Sequence, residues 1–193
     1  QVKIDPVTNT LIRAGVEAIC NPYDLVGVEA AVRLKEKHGG KVTVITMGPP
    51  QADSALRDCL AIGADEAVLL SDRAFAGADT LATSYMLSIA IKKIEKYDLI
   101  LCGRQAIDGD TAQVGPQVAE KLGIPQITYA EAIVEWRENE VVVRRAFDLG
   151  TELVSCKLPA LLTVVGSANR PRPASARRRI EFKLAATPNE YAK

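Results

Sequence analysis

Apolar residues in this chain alternate between short β-branched runs and stripes at helical spacing. Lys41-Val42-Thr43-Val44-Ile45-Thr46, Ala67-Val68-Leu69-Leu70 and Tyr97-Asp98-Leu99-Ile100-Leu101-Cys102 are too short for helices and suit buried strands. Between them lie helical stripes. Leu25, Val28 and Val32, joined by the stem of Lys35, make one face of a helix that Gly39 stops. Its start is marked by Asn21 as cap, Pro22 at the first helical position and Asp24 in the first turn. A second helix runs from about Gln51, with Leu56, Cys59 and Leu60 inward and Gly63 closing it. Asp79-Thr80 caps a third, with Tyr85, Met86 and Ile89 on its buried side. Val114, Val118 and Leu122 form a fourth, ended by Gly123. Strand and helix alternation of this kind predicts an α/β fold: a doubly wound, mainly parallel sheet with right-handed crossovers.

After Ile124-Pro125 the rhythm changes. Ile127 to Val134, Val141 to Phe147, Leu153 to Leu158 and Ala160 to Val165 read as strands, with Glu138-Asn139 as a hairpin turn. These are additional antiparallel strands extending the sheet at one side. Past Gly166 the chain turns Arg- and Pro-rich, Asn169-Arg170-Pro171-Arg172-Pro173 and then Arg177-Arg178-Arg179, which predicts an extended C-terminal arm. The expected division is an α/β domain over residues 1–166 and an arm over 167–193. At the other end, Gln1 to Asp5 reads as a short edge strand entering a turn at Asp5-Pro6-Val7-Thr8-Asn9. With no Met and no signal-peptide pattern at Gln1, this abrupt start is expected of a fragment.

Composition narrows the classes. The chain has 193 residues, 48% hydrophobic and 25% charged, as expected of an ordinary soluble globular protein. Lys+Arg and Asp+Glu both number 24, which removes the basic field that nucleic-acid binding needs. No apolar run is long enough to insert into a membrane. Cys20, Cys59, Cys102 and Cys156 are scattered, with no CxxC pair, and read as buried thiols in a reducing compartment. His38, the only histidine, sits at a helix end beside Gly39. A lone histidine argues against His-based nucleophilic catalysis and against a His-rich metal site.

The candidate chemistry lies at helix starts. Gly103 to Pro116, GRQAIDGDTAQVGP, leaves the carboxyl end of a strand, where open α/β sheets bind ligands. It is far longer than the two to six residues usual for such a connection. Its glycines permit close approach, and Asp110, Thr111 and Gln113 bring polar groups to a helix start. Either Asp110 caps that helix or the regular helix begins at Pro116. Neither G-x-G-x-x-G nor the P-loop pattern occurs, so a nucleotide would be held differently. A parallel sheet would bring three segments together: Asn21 to Asp24, Met47-Gly48-Pro49 and Gly103 to Gln113. Helix starts favour phosphate through unpaired N–H groups and a partial positive charge. Asp108 and Asp110 suggest capping or ribose contact ahead of metal binding or acid–base work.

In these residues the chain resembles the β subunit of the electron transfer flavoproteins. The match runs through Asn21-Pro22-Tyr23-Asp24, Ala31 to Glu36, Val42 to Pro49, Leu60 to Asp65 and, most specifically, Gly103 to Gly115, with Lys157-Leu158-Pro159-Ala160 later. The resemblance implies an adenine-nucleotide α-hydrolase-like fold and a subunit of an αβ heterodimer that carries electrons between dehydrogenases and an acceptor. It assigns cofactor-binding positions to Asn21, Pro22, Tyr23, Asp24 and Met47, and to Gly103, Arg104, Gln105, Ala106, Ile107, Asp108, Gly109, Asp110, Thr111, Ala112, Gln113 and Val114. Ordinary members carry AMP there, in a structural role. Electron-bifurcating members carry a second FAD that takes a hydride from NADH. The wording Gly109-Asp110-Thr111-Ala112-Gln113 is similar to the bifurcating group and favours FAD over AMP. The implied partners are the α subunit and an acyl-CoA dehydrogenase or similar flavoprotein; the implied place is the cytoplasm, or the mitochondrial matrix of a eukaryote. The resemblance also implies a strand ahead of Gln1 and an arm beyond Lys193 that embraces the α subunit. Competing readings are an ATP-using enzyme of the related nucleotide-hydrolase fold and a nucleotide sensor of the universal-stress type.

Overall fold

A computed structural model of the chain describes residues 3–4, 11–12, 18–94 and 96–183. In order, the elements are β1 (Lys3–Ile4), β2 (Leu11–Ile12), α1 (Pro22–His38), β3 (Thr43–Met47), α2 (Asp53–Ile62), β4 (Glu66–Leu70), α3 (Thr80–Lys93), β5 (Leu99–Gly103), α4 (Val114–Leu122), β6 (Gln126–Trp136), β7 (Glu140–Phe147), β8 (Gly150–Lys157), β9 (Ala160–Val164) and α5 (Ala176–Lys183). The fold is α/β with parallel and antiparallel strands. Lys3–Ile4 is a strand, paired antiparallel with β2, whereas the turn expected over residues 5–9 lies outside the described residues.

The larger sheet has the order β5-β9-β6-β7-β8. Here β9 runs parallel to both β5 and β6, while β6, β7 and β8 form an antiparallel meander. The last strand in sequence is therefore inserted between β5 and β6 instead of being added at the outer side. Its five residues are all buried, because helices cover one face and the meander flanks it. Leu162 packs with Ile127, Val141 and Val143 on one face of this sheet, and Leu161 with Ile91, Val118 and Ala119 on the other. Each such side chain contributes about 1.5–3 kcal/mol of burial. The pair β3-β4 is parallel and separate in hydrogen bonding, but Ile45 of β3 joins the Leu161 cluster.

Several helices differ from the pattern read in sequence. In α3 the buried face is Ser84, Ser88 and Ile91, while Tyr85 is 57% exposed. The Ser84 hydroxyl donates to Leu81 O and Gln117 Oε1, so small polar residues let α3 and α4 approach closely. The second helix begins with a 3-10 turn, Pro50–Ala52, before α2. The Arg-rich segment is not extended throughout: Arg177-Arg178-Arg179 lie in α5, packed on α2. Arg178 Nε donates to Leu60 O at 2.8 Å and Arg179 pairs with Asp58 at 3.1 Å, so these guanidinium groups bind the neighbouring helix. Upstream, Arg172 donates to the carboxylate of Glu29, which is 1% exposed in α1. No helix among the described residues is long and apolar enough to cross a membrane.

Candidate functional site

The carboxyl end of β5 meets the first turn of α1. Asp24 Oδ1 accepts from the Gly103 N–H at 2.6 Å, and Asn21 Nδ2 donates to Asp24 Oδ2 at 3.0 Å and to Gln105 O at 2.8 Å. Pro22 does stand at the first helical position. Asn21, by contrast, does not cap with its side chain: its amide nitrogen makes this bridge, and its oxygen is not aimed at the helix N–H groups. The contact is close enough to require glycine. A Cβ on Gly103 would stand 2.6 Å from the Tyr23 carbonyl carbon and 2.7 Å from the Asp24 nitrogen. Two segments far apart in sequence are thus stitched into one wall, and Asn21 Oδ1 is left buried with no hydrogen-bond partner among the described residues.

From Gly103 the chain runs through an exposed loop, residues 106–111, before α4. The Asp110 N–H bonds back to Ala106 O at 3.1 Å, and Gln105 Nε2 donates to Asp110 Oδ1. The glycine in this loop does not carry its sharp turn. Asp110 (φ 52) and Ala112 (φ 54) do, in the left-handed region that costs an L residue about 1–2 kcal/mol. The helix start differs from both sequence alternatives: α4 begins at Val114 with Gln113 at the cap position, and Asp110 caps nothing. Gln113 is held from another helix, since the Thr80 hydroxyl at the start of α3 donates to Gln113 Oε1 at 2.9 Å. Gly109 accepts no such constraint; its N–H donates to Asp108 Oδ1.

Arg104 lies between two aromatic rings, 5.4 Å from the Tyr23 centroid and 5.8 Å from the Tyr129 centroid, and its Nε donates to Gln105 Oε1. Tyr129 is itself left-handed (φ 59), at an irregularity where β6 shifts register against β9, and its N–H donates to Thr163 Oγ1. Burial, reinforced by Asp24, pushes the Cys102 thiol up to about 12, so the cysteine beside the site is no nucleophile at neutral pH. Among the described residues no cluster of His, Cys, Asp or Glu has metal-holding geometry.

The structure therefore joins Asn21, Tyr23, Asp24, Gly103, Arg104, Gln105 and Asp110 directly, whereas Gln113 is held separately, by Thr80 of α3. Met47 ends β3 in the separate strand pair and has no polar link to them. Thr80 and Tyr129 were not among the sequence candidates. Asp79-Thr80 carried a readable cap signal, and Asp79 Oδ1 indeed accepts from the Ala82 N–H. Nothing in the sequence placed that cap beside Gln113. Tyr129, inside an apolar alternation, gave no sign of its backbone conformation.

Comparison with known proteins places these features in context. A family model described as the electron transfer flavoprotein domain matches residues 8–188. The chain is 59% identical over 172 residues to the electron transfer flavoprotein subunit beta of Thermoanaerobacterium thermosaccharolyticum, covering 89% of this chain and 65% of that protein. It is 55% identical over 173 residues to the caffeyl-CoA reductase-Etf complex subunit CarD of Acetobacterium woodii, covering 89% and 66%. It is 53% identical over 177 residues to protein FixA of Azotobacter vinelandii, covering 89% and 63%. The chain spans just under two thirds of the length of these relatives.

Proposed function

The chain belongs to the electron transfer flavoprotein family, and from that premise we propose that it serves as a β subunit binding an adenine nucleotide, FAD, between α1 and the loop 103–113. The observation that carries this reading is the stitched pair of segments, Asn21 to Asp24 against Gly103 to Gln105, with Asn21 Oδ1 buried and unpaired. A buried amide oxygen without a donor suits an exocyclic amine or a hydroxyl of a nucleotide, and leaving it unpaired costs about 1–3 kcal/mol. The residues that would hold the nucleotide are Asn21, Pro22, Tyr23, Asp24, Met47 and Gly103 to Val114. The exposed carboxylates of Asp108 and Asp110 suit ribose hydroxyls, and the starts of α1 and α4 suit phosphate.

A flavin at this site would supply hydride and single-electron chemistry; the chain's own residues bind, orient and shield it. Asn21 and Asp24 fix the start of α1 against β5. Thr80 holds Gln113, and Arg104 keeps a positive charge between two tyrosines at the strand end. FAD is preferred to AMP on the wording of Gly109 to Gln113, with support from the relative whose name places it in a caffeyl-CoA reductase complex. In this reading the partner is an α subunit, electrons arrive from NADH, and an acyl-CoA dehydrogenase or similar flavoprotein exchanges them, with bifurcation as the overall process. The test is flavin content per αβ pair of the intact heterodimer, with AMP assayed in the same sample. Two flavins and no AMP support the proposal. One flavin with one AMP overturns the FAD assignment, and a colourless protein holding ATP overturns the family role.

A further inference from the structure

Two of the four cysteines, 39 positions apart in sequence, meet in space. Cys20 Sγ and Cys59 Sγ stand 3.6 Å apart and share a hydrogen bond. A disulfide brings sulfurs to about 2.05 Å, so closure asks for roughly 1.5 Å of approach. Cys59 is 4% exposed on the inner face of α2. Cys20 is half-buried on the wall of a cleft of about 330 Å³ that also touches Ile19, Leu25, Asp58 and Arg179. All four cysteines are free, and neither of the others has such a neighbour: Cys102 Sγ contacts Leu162 O, and Cys156 Sγ contacts Lys157 O.

We propose that Cys20 and Cys59 form a reversible thiol–disulfide modification site, oxidised by a small-molecule disulfide that reaches Cys20 through this cleft. In the first step Cys20, the more accessible sulfur, passes its proton to the hydrogen-bonded Cys59 as it attacks one sulfur of the external disulfide, forms a mixed disulfide and expels one small thiolate. Cys59 then attacks Cys20 Sγ and expels the second small thiolate. Two protons leave the protein, each cysteine sulfur loses one electron, and the external disulfide takes up both. The bond between the two sulfurs pushes the Cys20 thiol up and lowers Cys59 against the opposing effect of burial, so Cys59 serves first as the base for the Cys20 proton and then as the resolving thiol. The product is a covalent link from α2 to the residue immediately before Asn21, whose amide holds Gln105 O. The link therefore acts on the segment that leads into the stitched wall. It needs no assumption about which nucleotide binds there.

The experiment treats the full-length protein in its native complex with oxidised glutathione, blocks remaining thiols by alkylation and maps linked peptides by mass spectrometry. The expected result is a Cys20–Cys59 cross-linked pair, loss of alkylation at both, its return after dithiothreitol, and unchanged alkylation of Cys102 and Cys156. In Cys59→Ser protein the glutathione adduct persists on Cys20, because the resolving thiol is gone. Full alkylation of Cys20 and Cys59 in oxidised wild type overturns the proposal. So does a glutathione adduct that persists on Cys20 when Cys59 is present.

Discussion

The connection from β7 to β8 and the connection from β5 to α4 both turn the chain at an edge of the same sheet, by opposite means. Between β7 and β8, Phe147 pairs with Gly150, so Asp148 and Leu149 alone make the turn. Leu149 is 93% exposed, and the one residue of positive φ is a glycine, Gly150 (φ 144). Between β5 and α4, residues 104–113 carry their left-handed turns on Asp110 and Ala112. Hydrogen bonds tie this stretch to α1 through Asn21 and to α3 through Thr80. The first solution is the least a hairpin requires. The second accepts strain and polar wiring that packing alone does not ask for, which supports the proposed ligand site.

The largest test of that contrast exchanges glycine for alanine on both sides. In Gly103→Ala the new Cβ meets the backbone of Tyr23 and Asp24 at 2.6–2.7 Å, and backbone cannot step aside as a flexible side chain can. We expect a loss of about 3–5 kcal/mol in urea unfolding, with loss of bound nucleotide. Gly150→Ala has open space around its Cβ and only a backbone conformation to oppose it, costing about 1–2 kcal/mol with nucleotide content unchanged. Equal costs at the two positions would remove the distinction.

The wired side also depends on how α1 is held. Glu29 would be raised by burial, but hydrogen bonds from Arg172 and Arg33 outweigh this and hold its carboxyl below the usual range. A depressed folded-state pKa means that the unfolded chain binds the proton first. The stabilisation is therefore complete above the unfolded value of about 4.3 and is lost as pH falls through the lower folded value. Glu29→Gln should cost about 2–3 kcal/mol at neutral pH, below the full range for buried pairs because Arg172 is a third exposed. It should also flatten the acid limb of stability against pH. An unchanged acid limb would show that Glu29 does not titrate differently on folding.

A smaller effect separates the bridge from the hairpin. Asn21→Ala removes the donor to Gln105 O and Asp24, for an expected 1–2 kcal/mol or so, and should lower nucleotide affinity further. Leu149→Ser, at an exposed turn with no contacts to lose, should stay within about 0.5 kcal/mol. Nucleotide retained at wild-type affinity in the Asn21 variant would mean that the bridge serves the fold alone.

How much of this was legible in sequence follows from the kind of interaction involved. Periodicity identified β3 to β9 and α1 to α4 within a few residues, because burial of a stripe or run is written locally. It misjudged α3, where Ser84 and Ser88 form the buried face: close helix packing favours small residues over the apolar ones that mark a core. The rhythm placed Ala160–Val164 after the meander, but only pairing with β5 and β6 shows it to be central. At the site, Gly103 and the long loop stood out by composition. The use of Asn21 as a bridge in place of a cap did not, since its nitrogen suits a bridge and its oxygen a cap, and only the placement of Gln105 O shows which bond is made. Arg178 was read as part of an extended arm for the same reason. Its partners, Leu60 O among them, are backbone groups that carry no sequence signal.

The finest test concerns the strain itself. Ala112 sits at φ 54, and glycine there relieves about 1–2 kcal/mol of left-handed strain while adding about 0.5–1 kcal/mol of unfolded-chain entropy. The two partly cancel, so Ala112→Gly should change stability by about 0–1.5 kcal/mol, in the stabilising direction. Its effect on binding should have the opposite sign. Glycine leaves the loop free to leave the geometry that Gln105, Asp110 and Gln113 define, and binding must then restore that order. A stabler protein with several-fold weaker nucleotide affinity, read by thermal unfolding and titration on the same sample, would mean that the strain is maintained for the ligand. Stability and affinity rising together would mean that Ala112 is merely tolerated, and the loop would then differ from the β7–β8 hairpin only in length.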